Sequence, residues 1–240
     1  MVNIDTVYQR VLALANKEQR GYITPQEFNL FANQAQMDIF EQYFYDLNQF
    51  RRLPGNDTVY ADMANLLEDK IDIFRSAWGS GFVSTLTAYG DGFILPTEIY
   101  RIEQVRIGGT QCEKLTSRQY NEVRESPLTA PTPSRPIYTI RSGNKIFIND
   151  GTYVDFTMSN INIYYIRKPN PAKWTYVVVG EKALVNPDTS AGYTDFELHP
   201  SEETKLVIKI LGLAGITLKD SSLYQVASAE DNKSIQQEKQ

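Results

Sequence analysis

The sequence predicts an α+β fold, in which a helical bundle formed by the N- and C-terminal helices carries a mostly antiparallel β insertion. Near both termini, apolar residues recur at steps of three and four, which is typical of amphipathic helices. The middle of the chain consists instead of short runs rich in Ile, Val, Tyr and Phe, separated by Gly and Pro. We therefore expect a helical domain over residues 1–80 plus 199–240 and a β-rich domain over residues 81–198.

The N-terminal part of the chain predicts three helices. The first covers residues 4–15, and the third restores helical spacing from Met63 onward and ends near Trp78. The long second helix begins at Thr24, which caps it, with a proline at the first helical position and Glu27 completing a capping box. Three helices therefore precede the first expected strand.

The long helix carries two apolar strips. The first would face the core and contains Phe28, Phe31, Ala32, Ala35, Ile39, Tyr43, Leu47 and Phe50. The second lies beside it and contains Leu30, Met37, Phe40 and Phe44. Because so wide an apolar face requires partners on more than one side, we place Phe40 and Phe44 near a subunit boundary.

The β-rich part predicts two hairpins and several further strands. One hairpin turns at Gly108-Gly109 after a strand over 99–107, and the other turns at residues 142–144 between strands over 137–141 and 145–149. Residues 161–166, 174–179 and 193–198 also have strand composition. The four prolines within 126–136 indicate either an ordered extended crossing or a mobile loop.

Helical sequence returns at His199-Pro200-Ser201-Glu202, where a polar residue precedes a proline at the first helical position. A broad apolar face follows from Leu206 onward. A last helix after residue 220 has few apolar residues, so it either frays or rests on a neighbouring subunit. Leu223 and Val226 from this helix join Phe40 and Phe44 as the candidate subunit-interface residues.

Residues able to perform chemistry are scarce, and we predict no catalytic, cofactor-binding or metal site. His199 is the only histidine and sits at a helix start, where a capping role explains it. Cys112 is the only cysteine, so zinc ligation, an internal disulfide and secretion all lack support. We therefore expect a protein that is not an enzyme, with a hydrolase that uses Asp and Glu alone as an alternative.

Charge and composition narrow the classes of partner. The formal net charge is −5, and the isolated basic pairs at 51–52 and 167–168 make no basic stripe. A DNA-binding accessory factor is accordingly an alternative that predicts salt-sensitive binding to duplex. The most apolar run, residues 206–218, is too short to span a bilayer, so no membrane partner is expected.

Four segments carry a family resemblance: residues 15–29 (ANKEQRGYITPQEFN), 95–103 (LPTEIYRIE), 165–169 (YIRKP) and 196–203 (FELHPSEE). Together they resemble a virion structural protein of crAss-like and related short-tailed phages, of the head-to-tail connector or head-completion type. The resemblance implies a homo-oligomeric ring, most often of twelve copies, that extends the DNA channel and joins head to tail. The implied partners are the portal protein, tail proteins and passing genomic DNA, and the implied location is the virion, after assembly in the host cytoplasm. A tail-hub or tail-barrel ring that anchors tail appendages is the alternative.

Overall fold

A computed structural model of the chain describes residues 1–16, 23–52, 58–78, 88–89, 92–141, 143, 145–151, 161–180, 182–188, 191–217, 228–230 and 232–233. The chain divides into two compact units. The terminal unit comprises Met1–Ile73 and Pro169–Gln240, and the inserted unit comprises Phe74–Lys168. Helices and mostly antiparallel sheets are both present, which confirms the predicted α+β class.

The elements of the described residues are, in chain order, α1 (Ile4–Asn16), α2 (Pro25–Arg52), α3 (Thr58–Asp72), β1 (Arg75–Trp78), β2 (Ala88–Tyr89), β3 (Gly92–Ile94), β4 (Ile99–Ile107), β5 (Thr110–Gln111), β6 (Glu113–Lys114), α4 (Ser117–Glu125), β7 (Ile137–Arg141), β8 (Lys145–Asn149), β9 (Ile161–Arg167), β10 (Tyr176–Val179), β11 (Lys182–Val185) and α5 (Glu203–Thr217). A 3-10 turn, Pro200–Glu202, leads directly into α5.

The terminal unit is organised around α2, which packs against α3 and α5, while α1 packs against α5. Helix α2 begins with the predicted capping box: the Thr24 amide donates to Glu27 Oε2 at 2.9 Å, and the Glu27 amide donates to Thr24 Oγ1 at 3.3 Å. The first apolar strip supplies the core, with Phe28, Ala32, Ala35, Ile39 and Tyr43 all buried. Burial of this strip is what fixes α2 in the unit, because helix propensity alone contributes little.

The described residues of the inserted unit form two sheets that share one core. The strand orders are β1-β9-β4-β5 and β2-β3-β8-β7-β6, and every pairing is antiparallel except that of β6 with β7. The shared core contains Trp78, Leu95, Val105, Cys112, Tyr138, Ile146, Ile148, Ile161, Ile163 and Tyr165. Both predicted hairpins are present, with left-handed backbone at Gly108 (φ 53°) and Gly143 (φ 72°) where the turns require it.

The predicted end of the third helix was wrong. Helix α3 ends at Asp72, and residues 75–78 form strand β1, which pairs antiparallel with β9. The helical spacing continued only as far as Phe74, whose side chain is buried, while Trp78 joins the core of the inserted unit. A strand pairing distant in sequence therefore overrides the local periodicity.

Residues 169–198 belong to the terminal unit, although the predicted β-rich domain over 81–198 includes them. The strand expected over 193–198 is reduced to isolated bridges, in which Thr194 pairs with Lys173 and Phe196 pairs with Val2. The observed division falls at 73/74 and 168/169, while the prediction placed it at 80/81 and 198/199. The hairpin β10–β11 consequently belongs to the terminal unit together with the helices.

The proline-rich segment 126–136 follows a defined path within the inserted unit. Pro131 is buried, and Thr132 and Arg135 form a short bridge. Gly151 (φ 79°) approaches so closely that a Cβ built there would lie 2.1 Å from the Pro131 carbonyl oxygen. Of the two expectations for this segment, the ordered crossing is therefore the one found.

Candidate subunit interface

The most exposed apolar element among the described residues is the hairpin β10–β11. Within the described part of the chain its strands pair only with each other, in the register Tyr176↔Val185 to Val179↔Lys182, and Gly180 at φ 54° makes the tight turn. Exposed side chains cover both of its faces: Tyr176, Val177, Val178, Val179, Leu184 and Val185. Because a two-stranded hairpin alone is marginally stable in water, this one gains from a further surface against which to pack.

Side chains alternate across the hairpin, so its two faces can be assigned from the register. Val177, Val179 and Leu184 lie on one face, while Tyr176, Val178 and Val185 lie on the other. Val178 is 63% exposed. A flat partner surface would cover one face and leave the other in water, so a groove or cavity suits this hairpin better.

The segment leading into the hairpin is held by a row of amide side chains on α2. Asn29 Nδ2 donates to the Trp174 carbonyl at 3.1 Å, and Asn33 Nδ2 donates to the Ala172 carbonyl at 3.0 Å. Gln36 Nε2 donates to the Asn170 carbonyl at 2.8 Å. The spacing of four and then three places these amides on one helix face. This row of amides, Asn29, Asn33 and Gln36, orients the base of the hairpin.

Trp174 anchors the same segment in the core of the terminal unit. Its indole Nε1–H donates to Asp5 Oδ1 at 2.9 Å, and its ring lies 4.0 Å from the ring of Tyr8, measured between centroids. The ring of Tyr176 in turn stacks on Trp174, with centroids 5.7 Å apart and planes 16° from parallel. The hairpin therefore begins from a fixed point although most of its side chains face water.

A second feature of the terminal unit is a cavity of about 320 Å³ between α2, α3 and the start of α5. Its lining contains Tyr43, Asp46, Phe50, Leu66, Leu67, Asp69, Lys70, His199, Ser201, Glu202 and Lys205. Leu66, Asp69 and His199 are exposed, so the cavity opens at the surface. The cavity lies at the low end of the range for binding pockets, roughly 300–1,000 Å³.

One wall of the cavity holds a buried ion pair between Lys70 and Glu202. Glu202 retains 4% of its side-chain exposure and Lys70 retains 22%, and the ammonium also lies 5.6 Å from the centre of the Tyr43 ring. The 3-10 turn that positions Glu202 is capped by His199, whose ring accepts from the Ser201 amide at 3.2 Å. The capping role expected for the single histidine is thereby confirmed.

The four interface residues named from the sequence have different positions. Phe40 is fully buried, and its ring meets that of Phe44 edge to face at 5.1 Å. Phe40 therefore contacts its own subunit, because a side chain without exposed surface has none left for a neighbour, whereas Phe44 is half-buried. Leu223 and Val226 lie outside the described residues.

Reactive chemistry is sparse in the residues that the structure describes. Burial raises the pKa of the Cys112 thiol to about 12, with a smaller contribution from the charge of Asp150, so the nucleophilic thiolate is disfavoured. Across the described ranges, no cluster of three or more His, Cys, Asp or Glu side chains is arranged to hold a metal ion. Nor does any helix in those ranges have the length and hydrophobicity to span a bilayer.

Comparison with known protein families finds no family model that matches this chain, and comparison with curated proteins finds no similar sequence. The terminal unit, with its apolar hairpin and its cavity, is therefore interpreted from its own residues.

The sequence-based prediction missed both of these features. The run Val177-Val178-Val179 followed by Gly180 was assigned to an ordinary strand of the β insertion. The available signal was its lack of polar alternation, since a half-exposed strand normally alternates apolar and polar residues. The cavity has no comparable signal, because its walls come from three segments far apart in sequence.

Proposed function

We propose that this protein is a structural component of a tailed-phage virion, forming a homo-oligomeric ring in the portal–tail connector without catalysis. In this role the ring extends the DNA channel and joins head to tail, and its neighbours are the portal and tail proteins. The proposal combines the phage resemblance of four ordered segments with the surface of the terminal unit. It includes a helical bundle built from both ends of the chain as the body of each subunit.

The observation that carries the proposal is the hairpin β10–β11, which exposes apolar side chains on both faces while its base is anchored. Large contiguous apolar patches are rare on the surface of monomeric proteins and mark interaction sites. An anchored hairpin of this kind is costly to leave in water, and a permanent assembly removes it from water. A structural subunit accounts for this feature, whereas an independent monomer does not.

A ring also accounts for the different surfaces of the terminal unit. In a head-to-tail ring, one surface of each subunit meets a different surface of the next, and closure leaves neither exposed. The mild net negative charge suits a DNA channel, because a strongly basic lining would bind the phosphates and hold the genome in place. A tail-hub or tail-barrel ring is the alternative that the same features support.

The hydrolase alternative has one specific observation in its favour, since Asp46, Asp69 and Glu202 all line the cavity. Paired carboxylates are the usual catalysts of glycoside hydrolysis. Against it, Glu202 is already ion-paired with Lys70. Release of soluble fragments from purified cell-wall glycan, abolished in the Asp46→Asn variant, would establish hydrolysis in place of the structural role.

The test of the proposed function is electron microscopy of the purified full-length chain, alone and mixed with portal rings of the same phage. We expect rings, or portal rings with an added layer of density. A chain that remains monomeric at high concentration and does not bind the portal refutes the proposal. Retention on duplex DNA at physiological salt would instead support the DNA-binding accessory factor.

A further inference from the structure

We propose that the outer face of the sheet β1-β9-β4-β5 contacts the phosphate backbone of duplex DNA, weakly and without regard to base sequence. The outer face is the side of this sheet that points away from the core containing Trp78, Val105 and Ile163. This inference rests on the proposed connector role, and it specifies which surface of the chain meets the genome as it passes.

The first argument is the uneven division of charge between the two units. The inserted unit has 11 basic and 8 acidic residues, so its formal net charge is +3. The terminal unit has 13 basic and 21 acidic residues, so its formal net charge is −8, and the two together give the −5 of the whole chain. A polyanion is therefore attracted to the inserted unit in preference to the terminal unit.

The strand register identifies the side chains of the outer face, because paired residues share a face and faces alternate along each strand. Arg75 and Arg101 are both opposite Ile166, which is buried between them, and Arg106 is opposite Asn162. The exposed and half-buried side chains of this face are three arginines with neutral neighbours: Arg75, Ala77, Arg101, Gln104, Arg106, Gln111, Asn162 and Tyr164.

The second argument is that two of these arginines are available to an external anion. Arg75 Nε lies 3.3 Å from Oε1 of Glu103, which sits at a β-bulge of β4. Among the residues that the structure describes, Arg101 and Arg106 form no salt bridge. Glu103 therefore neutralises one arginine of the face and leaves two positive charges.

The third argument is the spacing of those two charges. Ile166 and Asn162, which mark the rows of Arg101 and Arg106, are four residues apart on β9, or about 13 Å. Nucleotides rise 3.4 Å per step along one DNA strand, so this distance covers roughly four steps. Each arginine can therefore donate to a phosphate of its own.

The fourth argument separates a nucleic acid from a protein as the partner. Protein interfaces have an apolar centre, whereas interfaces with nucleic acid are polar and positively charged. Tyr164, 37% exposed, is the large side chain with apolar surface that the register places on this face. The neutral polar side chains can donate hydrogen bonds, which phosphate oxygens accept: Gln104, Gln111, Asn162 and Tyr164.

Two phosphate contacts per copy make the binding weak and sensitive to salt. The logarithm of the affinity then falls with the logarithm of the salt concentration at a slope of about −1.8, which is about 40-fold between 20 and 150 mM salt. Such a contact guides DNA without holding it, which is what a channel for a moving genome requires.

The experiment measures fluorescence anisotropy of a labelled 30-base-pair duplex with the full-length chain between 20 and 150 mM NaCl. The face variant, Arg101→Gln/Arg106→Gln, is expected to bind at least tenfold more weakly than the wild type at 20 mM and to lose most of the salt slope. The α4 control variant, Arg118→Gln/Arg124→Gln, removes the same charge from exposed side chains of the same unit and is expected to bind like the wild type.

A second pair of variants tests the same face with the opposite sign. Glu103→Gln releases Arg75 from its ion pair, so DNA binding at 20 mM is expected to strengthen several-fold and the slope to steepen by about 0.9. The matched Glu122→Gln variant removes a carboxylate that pairs with Arg118 on α4, and it is expected to leave DNA binding unchanged. Equal melting temperatures of all four variants and the wild type show that the fold is retained.

The outcomes separate this contact from the connector role. Equal DNA binding by the face variant and the α4 control variant overturns the contact, while rings seen by electron microscopy leave the connector standing. Tight binding that persists at 150 mM overturns the weak contact and supports the DNA-binding accessory factor. Rings lost in the face variant with DNA binding unchanged show that this face meets a second copy, which also overturns it. Absence of rings refutes the connector alone, because salt-sensitive binding that the face variant loses still establishes the DNA contact.

Discussion

Replacement of Lys70 by Met removes the cation of a buried ion pair while keeping an apolar stem of similar length. Breaking a buried pair by removing one partner costs about 3–5 kcal/mol. Lys70 retains 22% of its side-chain exposure, so water screens part of the interaction. We therefore expect the free energy of unfolding of the terminal unit to fall by about 2–3 kcal/mol. This loss corresponds to a decrease in melting temperature of roughly 4–12 °C for a chain of this size.

The two tryptophans allow each unit to be followed separately, because Trp78 lies in the inserted unit and Trp174 in the terminal unit. In a Trp78→Phe background, the fluorescence of Trp174 during urea unfolding reports the terminal unit that contains the ion pair. An exposed lysine of the same unit, replaced in the Lys173→Met variant, serves as the control and is expected to change stability by less than about 0.5 kcal/mol.

The double variant Lys70→Met/Glu202→Gln determines whether the pair itself is responsible. The neutral amide has no buried charge to compensate, so the double variant is expected to recover more than half of the loss. If Lys70→Met unfolds within about 0.5 kcal/mol of the wild type, or if the double variant is no more stable than the single one, the interpretation of a buried, mutually dependent pair is refuted.

Four further predictions concern the capping box, the cores and one glycine. Hydrogen bonds from Thr24 lower the pKa of Glu27 from its ordinary value of 4.5. The stability that these bonds contribute is therefore present above pH 4.5 and is lost as the pH falls through the lowered pKa. In Glu27→Gln, this part of the acid dependence should vanish when the free energy of unfolding is measured against pH. Burial raises the pKa of Cys112 to about 12, so the free energy of unfolding should fall as the pH rises from 9 toward 12. This slope should be absent in Cys112→Ala. Labelling of the Cys112 thiol at pH 8 should be slow until denaturant is added. Gly151→Ala should destabilise the inserted unit, measured by Trp78 fluorescence, because its Cβ would collide with the Pro131 carbonyl; unchanged stability would contradict the close approach. Phe40→Ala should cost about 3–5 kcal/mol in the terminal unit even under monomeric conditions, and a loss confined to the assembled state would restore its role as an interface residue.

The parts of the fold that could be predicted are those written in local sequence. The capping box at Thr24 and Glu27 and the glycine turns at Gly108 and Gly143 depend on neighbours within a few residues. These features appear where they were expected. The α+β class could also be predicted, because the period of the apolar residues changes where the chain passes from helices to strands.

The parts that failed depend on contacts distant in sequence. Helical spacing near Phe74 gave no sign that β9 would pair with residues 75–78. The segment at 170–174 looked like the approach to another strand of the insertion, while amide side chains of α2 hold it in the terminal unit. Sequence alone could not pair hydrogen-bond donors and acceptors that lie so far apart along the chain. The anchored hairpin and the cavity were missed for the same reason.

The row of amides on α2 also determines when during synthesis the hairpin takes up its final position. Its three hydrogen bonds connect residues that are 134 to 145 positions apart, so the helix leaves the ribosome long before the segment that it holds. At about 5–20 residues per second, that interval lasts roughly 7–30 s. A nascent chain therefore cannot present its anchored apolar hairpin until the inserted unit has also been made. Premature association of unfinished chains is reduced as a result, and ability to join neighbours becomes a property of the completed molecule.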